Sequence, residues 1–315
     1  MADVPYHTHF CDTSKVRKPE FGILNIMKLF SFSVILVLLY VSVLVLHIYR
    51  AHRKRLIRRL TEYVEHGTMG DLLLGGRELV ATIWDAHAWL WHGYELWGLE
   101  NLPQEGGCLL VYYHGALPVD YYYLVGRILL LRETMVHSVV DNFLFKVPGL
   151  KLLLEAFFCT PGTVDSLAEQ LSQGKTLGLA PGGVYEAQFG DHDYKVLWRE
   201  RVGFARAALK ANVPILPVFT ENIRESFRVF PFGGNFFYWL FIKTRLPLRP
   251  IFGGFPVKLR THIGEPIYPE ENMTPEMLRD KCKESLEKII TRHQRLPGSI
   301  WRGLLDRFIR KTKSQ

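Results

Sequence analysis

Two regimes of apolar patterning divide the chain. Across 29–49 no charged residue interrupts a run of Phe, Val, Ile and Leu. Roughly 21 residues rising about 1.5 Å each reach about 31 Å, the thickness of a bilayer's hydrocarbon core. A cleaved leader would carry a shorter apolar stretch near the start, followed by small residues. This run begins late and ends in Tyr49-Arg50, which predicts a transmembrane helix over 29–49 behind an N-terminal tail over 1–28. Beyond residue 100 the pattern changes to short apolar runs separated by helical periodicity. Strands are predicted over 108–113, 134–140, 176–180, 215–220 and 257–263. Helices are predicted over 118–131 (Pro118 at its first position), 164–172 (stopped by Gly174), 201–211 and 274–292. Alternation of this kind predicts an α/β fold: a mixed, mostly parallel sheet flanked by helices. The domain is placed at 101–295, with a basic C-terminal tail over 296–315.

The region between, 50–100, is basic and aromatic. Arg50, His52, Arg53, Lys54, Arg55, Arg58 and Arg59 follow the apolar run more densely than Lys15, Arg17, Lys18 and Lys28 precede it. The positive-inside rule then puts the downstream domain in the cytosol. The cluster reads equally well as a topology signal alone or as a grip on anionic headgroups. Trp84, Trp89, Trp91 and Trp97 are interspersed with Arg77, Glu78, Asp85 and Glu95, too many charges for a second simple span. An interfacial helix, a packed aromatic helix and a hairpin dipping into the membrane all stand open.

Composition narrows the class. The 315 residues, 48% of them hydrophobic, suffice for one anchor and one sizeable domain. A net charge of +8 favours anionic partners: nucleic acid, acidic lipid or a phosphate-bearing cosubstrate. Cys11, Cys108, Cys159 and Cys282 include no CxxC pair, so neither a disulfide framework nor a zinc site is expected.

Three segments carry candidate chemistry. In Tyr112-Tyr113-His114-Gly115-Ala116-Leu117-Pro118-Val119-Asp120 a His ends a strand, where α/β folds place ligands. Asp120 falls in the first turn of the next helix, and a tight turn at Gly115 would bring it back to orient the imidazole as a general base. Alone, a His and an Asp six apart are weak evidence. In Ala180-Pro181-Gly182-Gly183-Val184-Tyr185-Glu186-Ala187 a strand enters two glycines, whose amides would approach and polarise an acyl carbonyl. Glu186 would bond the acceptor or cap the next helix. In Val213-Pro214-Ile215-Leu216-Pro217 two prolines shape a rigid wall.

Taken in order, these blocks resemble the glycerolipid acyltransferase superfamily. His114 and Asp120 match its catalytic pair; Asp141 to Gly149, including Phe145, its second block; Pro181 to Glu186 its third; Val213 to Pro217 its fourth; and Gly264-Glu265-Pro266-Ile267 its terminal signature. The match runs over about 105–295. The branch it is most similar to is an endoplasmic-reticulum one near the diacylglycerol acyltransferases. That resemblance implies acyl transfer from acyl-CoA, or another lipid donor, to a neutral glycerolipid. It implies substrate-binding roles for Gly182, Gly183, Tyr185, Glu186, Phe145 and Pro214, a membrane-bound enzyme, no metal and no cofactor beyond acyl-CoA as cosubstrate.

Two departures stand out. The His–Asp spacing is one residue longer than the common superfamily pair, as in the branch it resembles. Phosphate-accepting relatives carry Glu-Gly-Thr-Arg in the third block, and here Gly182-Gly183-Val184-Tyr185 stands instead. Arg clamps a phosphate and Tyr does not, so mono- or diacylglycerol is expected over a phosphorylated acceptor; Arg201 and Arg224 are candidates to substitute. Lysophospholipid or wax-type alcohol acylation is the nearest alternative. A hydrolase lacks its Gly-x-Ser-x-Gly elbow, and a silent lipid-binding protein would need no His–Asp pair. The densest basic run abuts the membrane span, which argues against nucleic acid. The aromatic stretch 230–242 reads as a hydrophobic surface for lipid entry, a membrane-dipping loop or core. Oligomeric state stays open.

Overall fold

The computed structural model describes residues 20–309. The tail through residue 19, with Cys11, Lys15, Arg17 and Lys18, and residues 310–315 lie outside the described residues. Two long helices come first, α1 (Glu20–His66) and α2 (Met69–His92). They precede a six-stranded sheet of β1 (Glu95–Trp97), β2 (Cys108–Tyr112), β3 (Val136–Ser138), β4 (Thr176–Leu179), β5 (Ile215–Glu221) and β8 (Arg260–Ile263), in the order β1-β8-β5-β2-β4-β3. Only the β5–β8 pair is antiparallel. A two-stranded ribbon, β6 (Phe227–Val229) with β7 (Ile251–Gly253), stands apart. The helices between strands are α3 (Val119–Arg132), α4 (Leu150–Ala156), α5 (Val164–Ser172), α6 (Gly183–Phe189), α7 (Gly203–Ala211), α8 (Ile223–Ser226) and α9 (Gly234–Thr244), and α10 (Pro275–His293) and α11 (Ile300–Leu305) close the chain.

The period-2 rule explains the layers. In β2, Leu109 and Val111 point into one core with Leu167, Ala205 and Leu286 from α5, α7 and α10. Cys108, Leu110 and Tyr112 point into another with Leu124 and Ile128 from α3. A strand buried on both faces must be apolar at every position, and 108–112 is. The expected strands and helices appear with ends shifted by a few residues. Two surprises are α6, where a turn was expected, and β1, hidden in the charged aromatic region.

The anchor is better integrated than the sequence implies. An apolar stretch within Phe32–Glu65, of mean hydropathy 2.5 and with none of it buried, is long enough to cross a membrane. The helix then runs without a break through the basic cluster and turns back at Gly67 into α2, whose N-terminus Thr68 and Asp71 close with a reciprocal capping box. The basic residues grip the domain. His52 Nε2 lies 3.1 Å from Asp85, Arg59 forks onto Glu78 at 3.0–3.2 Å, Arg58 pairs with Glu133 at 3.3 Å, and Arg55 donates to the carbonyl of Leu130. His47 stacks on Trp89 with centroids 4.2 Å apart. Arg55, Arg58 and Arg59 therefore bind protein, and α2 is a helix packed between α1 and α3. Glu78 is only 1% exposed. Arg59→Ala leaves its carboxylate unpaired and is expected to loosen the α1–α2 hairpin by about 1–3 kcal/mol. Limited proteolysis reads this as faster cleavage near Gly67; an unchanged rate refutes it.

The C-terminal boundary also moves. Ile300 and Leu304 pack on Val257 and Leu259, and Asp306 is buried against Arg295 and Asn222. The domain thus continues past 295, and the segment expected to be a tail contributes α11 to its core.

Candidate active site

The parallel strands β4, β2 and β5 point their carboxyl ends the same way, and the chain leaves β2 straight into Tyr113-His114-Gly115. A cavity of about 780 Å³ opens there, the size of ordinary small-molecule sites. His114, Tyr112, Ala116 and Pro118 form one wall, Trp84, Tyr122, Phe143, Leu154 and Phe157 a largely apolar second, and Pro181, Gly183, Val184, Gln188 and Arg201 a third.

His114 borders this cavity, and the direction of its ring follows from one hydrogen bond. Nδ1 lies 2.6 Å from the carbonyl oxygen of Gly115. A carbonyl can only accept, so Nδ1 carries the proton and the Nε2 lone pair is left free. Burial pulls the imidazole down to about 4, against the raising effect of that carbonyl and with a further lowering by Arg224. At neutral pH the ring is an uncharged base. Gly115 is required by closeness: a Cβ there would sit 2.5 Å from Ile223 Cγ1.

Asp120 does not make the expected bond. It is buried in the first turn of α3, yet the Nδ1 proton goes to Gly115, and Asp120 Oδ1 has no hydrogen-bond partner. Burial drives its carboxyl up to about 7, opposed by Thr220 and by local amides. An orphaned buried oxygen is costly. A carboxyl near 3.9 in the unfolded chain and about 7 in the fold adds stability that is complete below pH 4 and is lost as pH rises through 7. Asp120→Asn should therefore raise Tm by a few °C at pH 8 and by roughly a third as much at pH 5, early in that window. Differential scanning at both values checks this; an equal shift at both would rule out ionisation as its source.

Glu186 is a strut. Its Oε2 accepts from the amide of His114 at 3.0 Å and its Oε1 from the amide of Leu197 at 2.8 Å. The fully buried carboxyl thus ties the His114 loop to the 195–198 segment, leaving the acceptor role expected of it to others. Burial raises it to about 7, and the two amides pull it back. Gly182 is needed for this fit, since a Cβ would come within 2.3 Å of Glu186 Cβ. Arg224 braces the same loops from below. Nε donates to Tyr113 Oη at 3.0 Å, Nη1 to the carbonyls of Gly190 and Ala187 at 2.9 and 3.2 Å, and Nη2 to those of Glu186 and His114 at 2.5 and 2.8 Å.

Other expected residues fall elsewhere. Gly183 lines the cavity, but its amide already donates to Ala180 at 3.1 Å, so it is not a free oxyanion donor. Tyr185 is turned off the cavity: because 183–189 is helical, Val184, Ala187 and Gln188 share the inner face, and Tyr185 packs instead on Phe189 and Phe241 beneath Arg199, 3.6 Å from its ring centroid. Phe145 is outside the lining, where its neighbours Phe143 and Leu144 stand. Pro214 precedes β5 at the opposite end of the sheet, its carbonyl accepting from Leu109 at 3.0 Å; its role is structural. Trp84, which motif reading did not assign to the site, lines it, and so does Arg201, one of the two arginines named as candidates to substitute in the third block. Arg201 Nη1 donates to the carbonyl of Pro181 at 3.1 Å, beside Gly183.

Among the described residues two clusters hold metal-type donors, Glu221 with His262 and His293, and Asp85 with His47 and His52. Each carboxylate already binds an arginine, Arg260 at 3.1 Å and Arg127 at 2.6 Å, so both read as ion-pair networks.

Comparison with known proteins agrees with this geometry. Residues 94–221 match a family model described as "Acyltransferase". The chain is 44% identical over 276 residues to a Bos taurus protein named "DGAT1/2-independent enzyme synthesizing storage lipids", covering 88% of this chain and 80% of that one. The Homo sapiens protein of that name is 44% identical over 271 residues, covering 86% and 81%. The fold is similar to that of the crystallised 1-acyl-sn-glycerophosphate acyltransferase PlsC from Thermotoga maritima, with a TM-score of 0.51 and 21% identity over 81% of this chain and 96% of that one. His114 and its cavity thus sit in a chain that belongs to the acyltransferase family of the enzymes named for synthesizing storage lipids.

Proposed function

We propose that this protein moves a fatty acyl group from acyl-CoA to the hydroxyl of a neutral glycerolipid at the endoplasmic-reticulum membrane, turning monoacylglycerol into diacylglycerol or diacylglycerol into triacylglycerol. The observation that carries the reading is the free Nε2 of an uncharged His114 on a largely apolar cavity. Nε2 takes the acceptor's proton as its oxygen attacks the thioester carbonyl. The C–S bond then breaks, and the imidazolium protonates the departing CoA thiolate. As positive charge develops on the ring, the Nδ1 proton gains from a strong acceptor. Gly115 supplies a carbonyl, and Asp120, with one buried oxygen unpartnered in the first turn of α3, is the second candidate acceptor. Arg201, exposed at the cavity wall, suits the phosphates of CoA.

Two observations favour a neutral acceptor. Arg201 is the one cation among the described residues lining the cavity, and the 44%-identical relatives carry storage-lipid names. Tyr185 no longer bears on the question, since it lies off the cavity. The dense positive charge after the apolar run favours a domain on the cytosolic side. The test follows CoA release by the purified full chain in vesicles, with labelled acyl-CoA and added diacylglycerol. Acceptor-dependent release with label in ester supports transfer; label appearing only as free fatty acid would mark a hydrolase instead.

A further inference from the structure

One large exposed apolar feature plays no part in the chemistry above. Between β6 and β7 the chain makes an excursion whose core is α9, and of that helix only Phe241 is buried. Phe236, Tyr238, Trp239 and Ile242 are exposed, joined by Phe230, Phe232, Leu248 and Phe252. Phe232 reaches 70% exposure. An apolar patch of this kind on a folded domain is costly unless something covers it.

Three observations identify the cover. First, charge: from Phe227 to Gly253 there is no Asp or Glu, while Arg228, Lys243, Arg245 and Arg249 are all basic. Lys243 lies over the Trp239 ring at 4.8 Å. Aromatic residues rimmed by cations are the composition of a surface seated among lipid headgroups. Second, position: the indole N–H of Trp91 donates to the carbonyl of Gly254 at 2.9 Å, at the root of the excursion. The Trp91 ring meets Tyr40, inside the apolar run of α1, edge-on at 5.9 Å. The excursion is therefore fastened beside the helix that crosses the bilayer. Third, continuity: Pro247 and Ile251 line the cavity, and Arg249 rivets their loop to the cavity wall through Gln188, with contacts of 2.7 and 3.0 Å.

We propose that the 227–253 excursion is a second membrane element, which seats the aromatic face of α9 in the bilayer that α1 crosses and opens the cavity at Pro247 and Ile251 directly to lipid. An apolar acceptor then reaches His114 sideways from the bilayer without passing through water. The proposal concerns where the surface sits, and its test reads position rather than catalysis.

The experiment uses the full chain in phosphatidylcholine vesicles. Cys11 and Cys159 are changed to Ser, the buried Cys108 and Cys282 are kept, and Phe236→Cys is labelled with an environment-sensitive fluorophore. Glu284→Cys, on the exposed face of α10, is the control. Lipids carrying a doxyl quencher in the acyl chain should blue-shift and quench the label at 236 several-fold more than that at 284. Equal quenching at the two sites overturns the proposal. A blue shift at 236 that ignores the quencher and grows with the protein-to-lipid ratio also overturns it, because a second copy of the chain then covers the face.

Discussion

Replacing His114 with alanine is expected to lower acyl transfer by about a hundred- to ten-thousand-fold while the protein stays folded and membrane-bound. The two halves of this expectation have separate physical grounds. The ring makes one hydrogen bond, to the neighbouring Gly115 carbonyl, and otherwise borders a cavity. The structural load of the residue is on its backbone, whose N–H is held by Glu186 and whose carbonyl is held by Arg224. Alanine keeps both. What it removes is the proton acceptor. A variant with native Tm and full CoA release would show that another group takes the proton.

The second large effect concerns Arg224 and acts through the fold. Its guanidinium, 3% exposed, donates to four backbone carbonyls and one phenol, joining the His114 loop to the C-terminal half of α6. Arg224→Met takes this donor from all four, leaving only the Glu186 carbonyl its bond from the Gly190 amide, at a cost of about 3–5 kcal/mol. Tm should fall by about 10 °C or more, with loss of activity. Arg224→Lys should fail nearly as badly, since an ammonium cannot reproduce a planar fork shared between two segments. Near-native stability of the Lys variant would show that charge alone suffices there.

Much of the fold was legible because its signals are local. The apolar run of β2 and the stop at Gly174 each act within a few residues. The position of His114 followed from the strand before it. What was not legible depends on distance or on helix phase. The grip of Arg59 on Glu78 and of His52 on Asp85 joins residues 19 and 33 apart, so the basic cluster read as membrane chemistry alone. Tyr185 stands where phosphate-accepting relatives carry an arginine, which marks it for the site; with 183–189 a helix, one residue's difference rotates a side chain from the cavity to the back. Asp120 sits near its motif partner in sequence, but a nearer carbonyl satisfies the Nδ1 proton, a choice of rotamer that no spacing records. Glu186 was marked for the substrate and proved to hold the loop that presents His114.

The proposal that His114 serves a neutral lipid alcohol is measured by one competition. Purified full chain in vesicles is given limiting labelled acyl-CoA with diacylglycerol and lysophosphatidate at equal mole fraction. A cavity lined by one exposed cation predicts label in triacylglycerol. Label in phosphatidate would contradict it and would make Arg201 a phosphate clamp for the acceptor.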